Sequence, residues 1–120
     1  QDITVLSRLV LRRDGFVSAT AGQDGGEFTT PALKFSGRRL RLNLDTSAVG
    51  IARIGLLDAA GQSIPGYRLE DCDIIHTANE INRTVTWRGA AELPAAANGV
   101  VRLHFALRNT DLYAFQFSPE

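Results

Sequence analysis

The sequence predicts an all-β fold, an antiparallel β-sandwich of about eight strands, with a small barrel as the weaker alternative. Three observations carry this. Apolar residues recur at every second position in segment after segment, most cleanly where Leu40, Leu42 and Leu44 alternate with Arg39, Arg41, Asn43 and Asp45. Turn residues interrupt these segments at intervals of about ten residues, and no long helical pattern lies between them.

Taken in order, "SRLVLRR" is the first strand pattern, with Leu9 and Leu11 alternating; Asp14-Gly15 breaks it before "FVSAT", where Phe16 and Ser18 share one face and Val17 takes the other. "GQDGGEF" is a turn, and Pro31 within "FTTPALKFS" marks an edge strand or a break. After the Arg39 to Asp45 strand, "GIARIGLL" extends to about Leu57, Asp58 to Gly61 form a turn, and a short extended piece ends at Pro65-Gly66. In "INRTVTWRG" the set Ile81, Arg83, Val85 and Trp87 faces inward against Asn82, Thr84 and Thr86. "GVVRLHFALRN" sets Val101, Leu103, Phe105 and Leu107 against Arg102, His104 and Arg108, and "LYAFQFS" brings Tyr113, Phe115 and Phe117 together. Only "AAELPAAANG" favours helix, and Pro94 limits it to a single short turn.

The 120 residues suit a single β-sandwich domain spanning 1–120, with 44% hydrophobic and 22% charged residues in the ordinary globular range. Thirteen basic residues balance thirteen acidic ones, and the arginines are dispersed, so neither nucleic acid nor an anionic membrane is an expected partner. No apolar run reaches the roughly 20 residues of a membrane span, and no signal peptide opens the chain. The start at Gln1 and the absence of methionine read as a segment excised from a larger protein. A single cysteine excludes an internal disulfide. Asn82-Arg83-Thr84 matches a glycosylation acceptor, but so short a match arises by chance and carries no weight.

Catalytic chemistry finds little support, and no enzymatic activity is expected. No Gly-x-Ser-x-Gly elbow is present, and neither His76 nor His104 has motif context; the alternation makes His104 a sheet-face residue. Cys72 lies between Asp71 and Asp73, which raise rather than lower a thiol pKa, so a buried, inert thiol is expected. One cysteine and two histidines fall short of a structural zinc site. "GQDGGE" lacks the lysine and following helix of a phosphate loop.

The stretch "GYRLEDCDIIH", Gly66 to His76, concentrates the remaining chemistry. Glu70, Asp71 and Asp73 are close enough for paired-carboxylate glycoside hydrolysis, which needs a cleft between two such groups. They are also hard oxygen ligands, which makes calcium the one metal the sequence admits, without helix-loop-helix spacing; no other cofactor is expected. The stretch falls in a connection of about fourteen residues, long for a hairpin. Two readings stay open. Leu69 and Cys72 tuck into the sandwich end while the acids cap backbone amides or pair with arginines, or Tyr67 stacks on a sugar ring while carboxylates accept hydrogen bonds from its hydroxyls.

Three segments, "LRRDGFVSATAGQDGGEFTTPALKFSG", "LLDAAGQSIPGYRLEDCDII" and "VTWRG" through "VRLHFALRNTDLYAFQF", give the chain its resemblance from Leu11 to Phe117. In that order they resemble the C-terminal β-sandwich module of large bacterial secreted proteins that carry a glycoside-hydrolase-like β-propeller upstream. The resemblance implies a jelly-roll or concanavalin-like sandwich, a secreted, extracellular setting, and a hydrolase catalytic domain in the same parent chain as partner. The chain reads "HTANEIN" where that family's pattern tends to carry Gly-Asp, which leaves ligand choice in that loop open.

The leading expectation is therefore a non-catalytic carbohydrate-binding module that holds its hydrolase near a polysaccharide or oligosaccharide. Candidate sugar contacts are Tyr67, Glu70, Asp71, Asp73 and His76, with Asn109 and Asp111 of "RNTDLY" as a second polar patch that includes Arg108 and Tyr113 and also reads as an Asn/Asp turn. Trp87 shares the inward face of its strand and is expected in the core rather than as a platform. The alternatives are a structural accessory sandwich that packs on a catalytic domain without binding sugar, and, ranked last, a small glycosidase using Glu70 and Asp73.

Overall fold

A computed structural model describes residues 3–4, 8–11, 16–35, 37–94 and 99–119. Eleven strands are found among them: β1 (Ile3–Thr4), β2 (Arg8–Leu11), β3 (Phe16–Ala21), β4 (Gly26–Thr29), β5 (Leu33–Lys34), β6 (Arg39–Asp45), β7 (Ile51–Leu57), β8 (Ile75–His76), β9 (Asn79–Thr84), β10 (Val100–Arg108) and β11 (Thr110–Ser118). They form two antiparallel sheets, ordered β1-β4-β10-β7-β8, with β5 also on β10, and β2-β3-β11-β6-β9. The chain is an all-β sandwich, as its alternation requires. The strands beyond the expected eight are two-residue pieces, β1, β5 and β8, too short for any periodic signal.

The alternation maps onto burial. In β6, Leu40, Leu42 and Leu44 are buried while the polar residues between them are half-exposed. In β10, Val101, Leu103, Phe105 and Leu107 are buried in the same way. Phe28 and Phe105 stack between sheets' core residues with centroids 4.9 Å apart. Val85 and Trp87 are buried, whereas Arg83 is half-exposed and paired with Glu80 at 2.8 Å; the Ile81 side chain lies outside the described residues.

One expectation is corrected. Tyr113 does not share a face with Phe115 and Phe117: the register between β11 and β6 shifts between Leu112 and Ala114. The extra residue of such a bulge lets both Leu112 and Phe115 point inward, and Tyr113 is left 46% exposed on the outer face. The helical turn expected in "AAELPAAANG" falls on 95–98, outside the described residues, with 91–94 before it irregular and Gly99 after it in 3-10 conformation; a further turn, which the sequence did not signal, is at Leu69–Asp71. There Asp71 closes the turn by accepting the Arg68 N–H at 3.1 Å.

Consecutive strands repeatedly change sheets, and four of these corners meet at one end. Asn109 N–H donates to the Gly22 carbonyl at 3.0 Å, and the Ser47 hydroxyl donates to the Asn109 carbonyl at 3.4 Å. At the same end the Ala78 N–H donates to the buried Thr46 hydroxyl at 2.9 Å, while the Thr46 N–H donates to the Ala78 carbonyl at 2.8 Å. The opposite end holds Trp87, Tyr67 and the segments around Phe35 and Leu93.

Candidate functional site

The acidic stretch is bound to its neighbours through its main chain. Cys72 forms a bridge with Trp87, Asp73 N–H donates to the Thr86 carbonyl at 2.9 Å, and Arg88 N–H donates to the Asp71 carbonyl at 3.0 Å. This lays residues 71–73 beside 86–88 like a short extra strand. Leu69 sits over Gly55 of β7, where a Cβ would meet the Leu69 nitrogen at 3.0 Å.

Those contacts decide what the carboxylates do. Asp71 is 5% exposed; besides the Arg68 N–H it pairs with the Arg88 guanidinium at 2.6 Å. Asp73 accepts from the Thr86 hydroxyl at 2.6 Å and the Gly89 N–H at 2.8 Å, and these bonds, the Thr86 hydroxyl foremost, hold its carboxyl below the usual carboxylate range. Gly89 has φ 82°, a left-handed turn conformation that Asp73 secures from outside. Glu70 is exposed on the same Leu69–Asp71 turn, just before Asp71. Cys72 is buried, accepts the Ile54 N–H at 3.3 Å, and burial pushes its thiol up to about 11, so it stays protonated and unreactive.

Tyr67 has a different setting. Its carbonyl accepts the Leu56 N–H at 2.7 Å at the end of β7, its ring meets Trp87 edge-on with centroids 5.3 Å apart, and its hydroxyl donates to the Glu92 carbonyl at 2.9 Å. Trp87 is fixed beneath it by an indole N–H bond to the Ile54 carbonyl at 2.8 Å. Tyr67 thereby forms one wall of a cleft of about 530 Å³, with Phe35, Arg38, Glu92, Pro94 and Gly99 around it. Phe35 is held against Phe117, centroids 5.2 Å apart, and by its N–H bond to the Gly99 carbonyl at 2.8 Å. Arg38 and Glu92, both largely exposed, face each other at 3.6 Å across the rim. Leu93 ties the two sides by donating its N–H to the Arg38 carbonyl at 2.7 Å.

The seven residues singled out in the sequence do not form one site. His76 pairs with Ile51 at the start of β7, and Asn109 lies at that same corner, whereas Tyr67 bonds Leu56 near the strand's other end. At about 3.3 Å per residue, the two positions on β7 are about 17 Å apart. His76 is exposed and its Nδ1 contacts the Thr77 hydroxyl at 3.2 Å. Asn109, with φ 46°, makes the corner between β10 and β11. Asp111 is half-exposed on the outer sheet face opposite Asp45, and partial burial together with these two carboxylates pushes the Tyr113 phenol up.

Phe35, Arg38, Glu92 and Pro94 had no signal in the sequence. They come from two segments without periodicity that meet only through long-range backbone bonds. Among the described residues no three or more Asp, Glu, His or Cys side chains are grouped to hold a metal ion. Neither Glu70 nor Asp73 lines the 530 Å³ cleft, so the two carboxylates do not flank it as a hydrolytic pair would.

No protein-family model matches the chain, and no curated protein matches it. Among solved structures it is similar to a glycoside hydrolase family 43 arabinoxylan arabinofuranohydrolase from Bacillus subtilis, in a complex with cellotetraose, with 13% identity and a TM-score of 0.49. The alignment covers 98% of this chain and 24% of that one, so the chain spans about a quarter of that protein's length.

Proposed function

We propose that the chain is a non-catalytic carbohydrate-binding module whose sugar site is the Tyr67 cleft. The observation that carries this is the composition of its wall: two aromatic rings, Phe35 and Tyr67, with a guanidinium and a carboxylate, Arg38 and Glu92, at the exposed rim. Apolar ring carbon suits the C–H faces of a sugar, and a charged donor and acceptor side by side suit its hydroxyls. The rings are set by the core, through Trp87 and Phe117, so little conformational entropy is lost on binding. The open cleft fits part of a chain, and weak binding of this kind gains from a hydrolase domain in the same parent protein. That setting comes from the family resemblance, which also supports a secreted location.

Affinity electrophoresis against plant and microbial polysaccharides tests the reading. Retardation of the wild-type chain that is lost in Arg38→Ala, with an unchanged thermal melt, supports the cleft. Absence of retardation by every polysaccharide would favour an accessory sandwich that packs on a neighbouring domain.

A further inference from the structure

A second hollow, of about 180 Å³, lies on the outer face of the β4-β10-β7 sheet, away from the cleft. The register explains it. Ala106 of β10 pairs with Glu27 of β4 on one side and Arg53 of β7 on the other, so three neighbouring strands present a carboxylate, a methyl and a guanidinium in one row. With strands about 4.8 Å apart, the Glu27 and Arg53 backbones stand about 10 Å apart with only that methyl between them. Asp24, Ile51 and Arg108 close the rim.

The charges around the hollow do not satisfy one another. Neither Arg53 nor Arg108 forms an ion pair among the described residues, and the Arg53 Nε is buried with no hydrogen-bond partner among them. Glu27 meets the ring Nε2 of His104 at 2.7 Å, which leaves it in place on the opposite wall. A half-buried guanidinium without an acceptor is costly, and a carboxylate is its best-fitting partner, since the planar fork donates to its two oxygens in parallel bonds. Asp24 and Glu27 disfavour a compact dianion but accept hydrogen bonds from hydroxyls. The hollow equals about six waters at ~30 Å³ each, the scale of one sugar ring rather than a chain.

We infer that this hollow binds a single hexuronate residue, its carboxylate on Arg53 and Arg108 and its hydroxyls on Asp24 and Glu27. The inference does not depend on the Tyr67 cleft. Titration of the 120-residue chain with galacturonate and glucuronate, followed by amide shifts, tests it. The expected result is saturable shifts around 24–27, 53 and 106–108, weakened about tenfold or more in Arg53→Gln, absent in Ala106→Leu, which fills the floor, and unchanged in Arg38→Ala. Galactose is expected to bind about tenfold more weakly or worse, and inorganic sulfate is expected not to displace the uronate. Equal binding of galactose, displacement by sulfate, or wild-type affinity in folded Arg53→Gln would overturn it.

Discussion

Asp71 and Asp73 stand two positions apart, and each is engaged in holding a turn. Asp71 is buried and doubly bonded, so Asp71→Ala is expected to cost about 1–3 kcal/mol in urea unfolding, because the Arg68 N–H loses its acceptor and Arg88 its partner. Asp73 is exposed and acts through pH. Its carboxyl is held below its unfolded value, so its contribution is present above about pH 4 and is lost as pH falls through the lower folded value. Carbon-detected titration of Asp73 is expected to give a midpoint below that of an ordinary aspartate, and Thr86→Val to raise it. The tendency of aspartate to bond nearby backbone was legible in the sequence, as was the inert Cys72. The partners were not, because Thr86, Arg88 and Gly89 follow the acids only after β8 and β9 and do not reach them along a local turn.

At the scale of elements, strands were legible wherever alternation ran unbroken, as in β6 and β10, and obscure wherever geometry interrupted it. The β11 bulge is the plainest case. Strict period two sets Leu112 and Phe115 on opposite faces, yet the core takes both, and one unpaired residue, Tyr113, absorbs the difference. The corners impose a stricter constraint. At Gly50 an added Cβ would overlap the carbonyl oxygens of Thr46 and Asn109, where two sheet-crossing connections touch. Gly50→Ala is therefore expected to destabilise the fold by about 1–3 kcal/mol or to displace the corner, seen as a lowered melting temperature with amide shifts at 46–50 and 109. Tyr67→Phe tests the other end. Loss of its bond to the Glu92 carbonyl is expected to cost about 0.5–1.5 kcal/mol while leaving the edge contact on Trp87 intact.

The whole molecule is a sandwich with two unlike ends. One gathers the corners at Gly22, Ser47, Ala78 and Asn109; the other carries aromatic residues, with Trp87 buried under Tyr67, Phe35 packed on Phe117, and both Tyr67 and Phe35 lining the cleft. The sandwich itself followed from period-two patterning and turn spacing. The site followed only at Tyr67, since Phe35, Arg38 and Glu92 come together through contacts that no local pattern encodes. The central claim, that this end holds sugar, is tested most directly by amide shift mapping with the oligosaccharide of whichever polysaccharide retards the chain. The account predicts saturable shifts confined to 35–38, 67, 92–94 and 99, lost in Arg38→Ala. Shifts centred on Tyr113 and the outer face of β6 and β11, with the cleft unmoved, would contradict it.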